Sequence, residues 1–150
     1  WPITLPETFA LRDQYGWIPA PGDGTLFSTQ VSNGELDGAI TEDVRNDDLV
    51  GSVDVRMTTR APIELKSSQI STITQSIYTN YRSALSALYG TPEDDTDSTG
   101  PYSTWTLRSN ASITLSCVST FVEVEICSPA DTKNKELWRY YENKYGPDIP

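Results

Sequence analysis

Apolar and polar positions along this chain follow two periods. Leu26 to Val31 is a short run closed by Ser32-Asn33-Gly34, a turn signal. Leu36, Gly38, Ile40, Glu42 and Val44 then alternate with Asp37, Ala39, Thr41 and Asp43. After a break at Asn46-Asp47-Asp48, Val53, Val55 and Met57 resume the alternation against Asp54, Arg56 and Thr58. A period of two with one polar side predicts antiparallel strands that keep one face wet. Ile113, Leu115 and Cys117, followed by Val122, Val124 and Ile126, repeat the pattern. A hairpin with Ser119-Thr120 at its tip sets Cys117 against Val122, Leu115 against Val124 and Ile113 against Ile126, all on one buried side. The same register sends Cys127 to the other side with Glu123 and Glu125, which argues against a Cys117–Cys127 bridge.

The other period is helical. Ile70, Ile73, Ile77, Tyr81, Ala84, Leu85 and Leu88 recur in steps of three and four, one apolar stripe on a helix of about 20 residues. Ser67 or Ser68 is its expected N-cap, Gly90 its left-handed stop, and Pro92 forbids continuation. A second helix starts at Ser128, with Pro129 in its first turn and Asp131 completing the cap. Its stripe is Leu137, Trp138, Tyr141 and Tyr145, and Gly146-Pro147 ends it. Residues 1–24 carry Pro2, Pro6, Pro19 and Pro21 together with Trp1, Phe9, Leu11, Tyr15, Trp17 and Ile18. Proline keeps such a stretch out of a sheet centre, and the large apolar groups keep it on the core. The expectation is an ordered arm with one helical turn near Glu7 to Gln14.

Together these readings predict an α+β fold, an antiparallel sheet of about five strands with two helices packed on one face, in one domain spanning 1–150. The arm occupies 1–24, strands 25–66, a helix 67–90, strands 103–127 and a helix 128–146.

Charge and composition narrow the function classes. The chain has 21 acids against 11 bases, net −10, and no histidine. Ser-His-Asp and Cys-His nucleophiles and His-ligated metals are therefore excluded. A pI near 4.3 is the wrong sign for binding a nucleic-acid backbone. No apolar run is long enough to span a membrane. The start at Trp1, 16 Ser, 18 Thr and few lysines favour an exported protein, periplasmic or extracellular. Residues 1–100 hold 15 of the 21 acids, clustered at Glu35 to Asp48 and Glu93 to Asp97, and the last helix holds Lys133, Lys135, Arg139 and Lys144. An acidic surface serves solubility first; its sharper use is docking a basic partner.

Three patterns raise chemistry. Asp95-Thr96-Asp97-Ser98-Thr99-Gly100 has the opening of a calcium loop, but Thr106 stands where the bidentate Glu is needed, which leaves a solvated acidic loop as the favoured reading. Glu123 and Glu125 share a strand face at a spacing compatible with paired carboxylates, although the polar side of an amphipathic strand also explains them. Cys127 lies beside them with no histidine to activate it, and neighbouring glutamates raise a thiol's pKa. No metal or cofactor is expected. The final helix crowds Trp138, Tyr140 and Tyr141, which point in different directions, so some must meet solvent, where Trp and Tyr anchor interfaces. The expected binding residues are Glu42, Asp43, Asp47 and Asp48 on the acidic run and Trp138, Tyr140 and Tyr141 on the helix.

The stretch Leu85-Ser86-Ala87-Leu88-Tyr89-Gly90-Thr91-Pro92, followed by Trp105 and by Ile113-Thr114-Leu115, resembles small exported bacterial immunity and enzyme-inhibitor proteins in which a helix leads to a Trp-bearing strand and a hairpin. Trp1-Pro2-Ile3-Thr4-Leu5-Pro6 is similar to the opening of some phage tail proteins. The first likeness implies a non-enzymatic acidic binding protein, an immunity protein or inhibitor of a basic bacterial effector. The alternatives are a structural component of a phage particle or surface assembly and a carboxylate-based hydrolase.

Overall fold

A computed structural model describes residues 1–146 except 2 and 63. Pro2 of the arm and Pro147, the expected stop after Gly146, lie outside the described residues. The elements run α1 (Leu5–Gln14), β1 (Ile18–Ala20), β2 (Asp23–Ser28), β3 (Gly38–Asp43), β4 (Asn46–Arg56), α2 (Ser67–Tyr89), β5 (Glu93–Thr96), β6 (Pro101–Thr106), β7 (Ser112–Val118), β8 (Phe121–Cys127) and α3 (Pro129–Tyr145). The fold is α+β, with one antiparallel sheet in the order β1-β2-β3-β4-β8-β7-β6-β5. It has eight strands where about five were expected, and three helices instead of two.

The three strands missing from the apolar pattern are edge or polar strands. Pro19 sits in β1 at one edge, where a missing donor costs nothing. The residues Glu93 to Thr96, expected in a loop, form the opposite edge strand β5, exposed throughout. Charge there discourages pairing with another sheet. In β6 only Ser103 and Trp105 are buried. Asn46 to Asp48, expected as a break, open the eleven-residue β4, and the chain reverses in the two residues Val44-Arg45. The arm is more than an arm: Thr4 caps α1 in a reciprocal box with Glu7, and the helix runs ten residues instead of one turn. The N-cap of α2 is Lys66, not Ser67 or Ser68; its backbone N–H donates to Gln69 Oε1 at 3.1 Å.

The topology repeats itself. A helix followed by a four-stranded meander, α1-β1-β2-β3-β4, is succeeded by α2-β5-β6-β7-β8, and the last strands of the two meanders pair at the centre of the sheet. Each half has its own core on the same sheet face. Phe27, Ile40 and Val50 pack under α1, while Tyr78, Trp105, Ile113, Leu115, Cys117 and Val122 pack under α2. The expected β7–β8 register holds: Cys117 pairs with Val122, Leu115 with Val124 and Ile113 with Ile126. Both cysteines are buried and free. The helices do not share one face. The contacts of α3 with the sheet include Ser112 and Glu125, on the side opposite the α1 and α2 cores. The reason is chemical: that side of the central strands is polar, and only a helix offering polar groups to it can settle there.

Candidate functional site

The polar sheet face is built by register. On β4 and β8, Ser52 lies across from Cys127, Asp54 from Glu125 and Arg56 from Glu123, while the intervening pairs Val53–Ile126 and Val55–Val124 face the core. On the other flank Cys127, Glu125 and Glu123 meet Ser112, Thr114 and Ser116 of β7. Carboxylates directly opposite one another repel. Accordingly Asp54 is pushed up to about 6 by burial, then by Glu125, and Glu123 is raised by burial and by Glu125.

The N-terminal half of α3 answers this charge. Ser128 caps it by accepting from Asp131 N–H at 3.1 Å, and the Thr132 hydroxyl meets Ser112 Oγ at 2.9 Å. Lys135 bonds Glu125 and lies 3.9 Å from Asp131 Oδ2. Oxygen and sulfur atoms of Glu125, Cys127 and Asp131 lie within 4.8 Å of one another, the spacing of a metal site. Their cation is the Lys135 ammonium, paired with Glu125 and near Asp131. Cys127 itself is 1% exposed, and burial, then Glu125, pushes its thiol up to about 12. A thiol held protonated in this way is a poor nucleophile. Of the suspected carboxylate pair, Glu125 is thus committed to Lys135, and Glu123 lies across from Arg56.

Beyond Lys135 every side chain of α3 is exposed. At about 100° per residue, Thr132 and Arg139 share the sheet-facing side, and Arg139 reaches over the Tyr102 ring with its guanidinium carbon 5.8 Å from the centroid. Leu137, Trp138, Tyr141 and Tyr145 fall roughly 140–240° away from Thr132, on the outer side. The amphipathic helix is therefore turned inside out, polar face to the sheet and apolar stripe to solvent. Trp138 is 60% exposed, Tyr141 39% and Tyr145 61%. The rings are ordered among themselves: Tyr141 stacks on Tyr145 at 6.0 Å and meets Tyr140 edge-on at 5.6 Å. Lys144 caps the cluster, with Nζ 5.1 Å from the Tyr145 centroid and 5.5 Å from that of Tyr140.

The acidic hairpin adjoins this stripe. At its tip, Arg45 Nη2 donates to Asn134 Oδ1 of α3 at 2.9 Å, one turn before Trp138. Glu42, Asp47 and Asp48 are exposed on the hairpin, whereas Asp43 turns inward and accepts from Arg45 N–H at 2.8 Å. Of the seven expected binding residues, six therefore present themselves to solvent on two adjoining elements, and Asp43 serves the turn. The Asp95–Gly100 segment uses its oxygens internally: Asp97 accepts from Thr99 and Gly100, and Asp95 from Tyr102 and Thr96. Sequence reasoning missed Asp54, whose only signal was its register opposite Glu125.

No curated protein and no solved structure matches the chain. The sequence matches a family of unknown function, DUF6301, over residues 1–128, a span that contains the whole sheet and α1 and α2 and stops before α3. With that match covering most of its length, the chain belongs to the DUF6301 family.

Proposed function

We propose that this protein is a docking module that holds a basic protein partner without chemical turnover, using the aromatic stripe of α3 as anchor and the β3–β4 hairpin as an electrostatic guide. The observation that carries this reading is the inverted helix: a stripe of large rings points to water while polar groups are spent on the sheet. Contiguous exposed apolar patches mark interaction surfaces. A stable interface takes roughly 800 Å² from each partner, which calls on the surface around the stripe as well. Glu42, Asp47 and Asp48 extend it with acidic surface, which matches a cationic partner. Such a role suits an exported immunity protein or an inhibitor of a basic bacterial effector.

The test is calorimetry or surface plasmon resonance of the intact chain against purified basic proteins encoded beside its gene, at low and high salt. Trp138→Ala is expected to weaken binding by about 30-fold or more, the cost of a central aromatic anchor. Asp47→Asn with Asp48→Asn is expected to slow association several-fold and flatten its salt dependence, leaving dissociation nearly unchanged. Absence of any such partner binding tighter than about 10 μM, or an unchanged affinity in Trp138→Ala, overturns the proposal.

A further inference from the structure

A concave region lies on the sheet face opposite α3, over the middle of the sheet. The two halves have equal strand numbers but unequal helices. At about 1.5 Å per residue, α2 with 23 residues spans roughly 35 Å and α1 with 10 only about 15 Å. Between α1 and the central strands this leaves a cavity of about 190 Å³. Its floor is Ile40, Val53 and Ile126, from β3, β4 and β8. One wall is a ladder of rings: Tyr15 stacks on Trp17 at 5.3 Å, and Trp17 on Phe27 at 5.0 Å with planes 4° apart. The ladder runs from solvent, where Tyr15 is 62% exposed, to the interior, where Phe27 is fully buried. Trp1 and Leu11 form the mouth, each 42% exposed.

Trp1, Thr8 and Arg12 already spend their polar groups on the protein. The Trp1 indole N–H donates to Val50 O at 3.0 Å and the Thr8 hydroxyl to Thr4 O at 3.0 Å. Arg12 is buried, bonded to Gly24 O and Asp13, and its guanidinium carbon sits 4.8 Å from the Phe9 centroid. The surface the cavity presents is almost wholly apolar, and a water there would find too few partners to stay. Apolar cavities of about 150 Å³ take benzene. We infer that this cleft, built from the arm, α1 and the sheet centre, binds a small uncharged apolar molecule of about ten heavy atoms, a fused aromatic or short alkyl compound. Such a group replaces the side-chain contacts that α1 is too short to provide. Every lining residue falls within the span matched by the family, so the site is independent of α3 and of the docking role proposed for it.

Naphthalene is the probe, with 1-naphthalenesulfonate as its charged counterpart, added to the full chain while methyl resonances are followed by NMR. The expected result is saturable binding with a dissociation constant on the order of 10–100 μM, shifting Ile40, Val53 and Ile126 and leaving Leu137 on α3 unmoved. The sulfonate is expected to bind at least about tenfold more weakly, since an apolar lining does not repay the desolvation of its charge. Leu11→Trp and Leu11→Phe, which fill the mouth from an exposed helix position, should each weaken naphthalene by about tenfold, while Trp138→Ala leaves it unchanged. Non-saturating shifts, equal binding of the sulfonate, or shifts centred on α3 that vanish in Trp138→Ala overturn the inference.

Discussion

Asp54 shows how one side chain inherits its chemistry from a neighbour far along the chain. Its place on β4 sets it across from Glu125, with Glu123 diagonal to it and Lys135 of α3 the nearby cation. Burial and the two glutamates raise its carboxyl from 3.8 to about 6. The folded protein thus holds this proton to a higher pH than the unfolded chain does. Stability contributed by the protonated group is complete below pH 3.8 and is lost as pH rises through about 6. Asp54→Asn should remove that loss: stability unchanged near pH 4 and higher by about 1–2 kcal/mol at pH 7.5, after discounting for solvent screening. Urea denaturation at the two pH values measures it, and an equal effect at both would show that titration is not the cause.

Elements in this protein were legible wherever one face is apolar and the other is not. The β7–β8 register could be read directly, because burial on one side specifies it. The existence of α2 was equally legible, but its buried residues are Thr74 and Tyr78, while Ile73, Ala84 and Leu88 of the expected stripe are exposed. Edge strands carry no such signal, and β1 and β5 were missed for that reason. Close approach between elements is equally silent in the sequence. Gly38 is paired with Phe27, and a Cβ at Gly38 would run into the Phe27 ring. The ring covers the glycine and is itself wholly buried. Gly38→Ala should therefore destabilise by about 2–4 kcal/mol, through overpacking at the β2–β3 pair, as read from urea midpoints. A change within about 0.5 kcal/mol would mean that the ring has room to move.

At the scale of the whole molecule, two helix-plus-meander halves meet along β4 and β8, and α3 hangs from the polar face by its first turns. Local stability should follow this plan. Amide exchange is expected to be slowest in β4, β7 and β8, which are paired on both sides at the middle of the sheet beneath the two cores. It should be fastest in α3 after Lys135, where no residue is buried. Protection of 136–145 equal to that of the central strands would contradict a helix held mainly through Thr132, Asn134, Lys135 and Arg139. Binding of a partner to the stripe should raise protection there alone.

What the sequence determined unaided was local: that the two long segments ending at Gly90 and Gly146 are helices, which segments alternate, that a histidine-based site is impossible, and that the rings of the last helix exceed what it can bury. Those follow from period, charge and residue type, which need no knowledge of neighbours. Only the tertiary structure decided which side of the sheet each helix takes, that Asp54 faces Glu125, and that a short α1 leaves an apolar cleft. Each of these is set by contacts between residues tens of positions apart, and their energy depends on distances that composition and period do not contain.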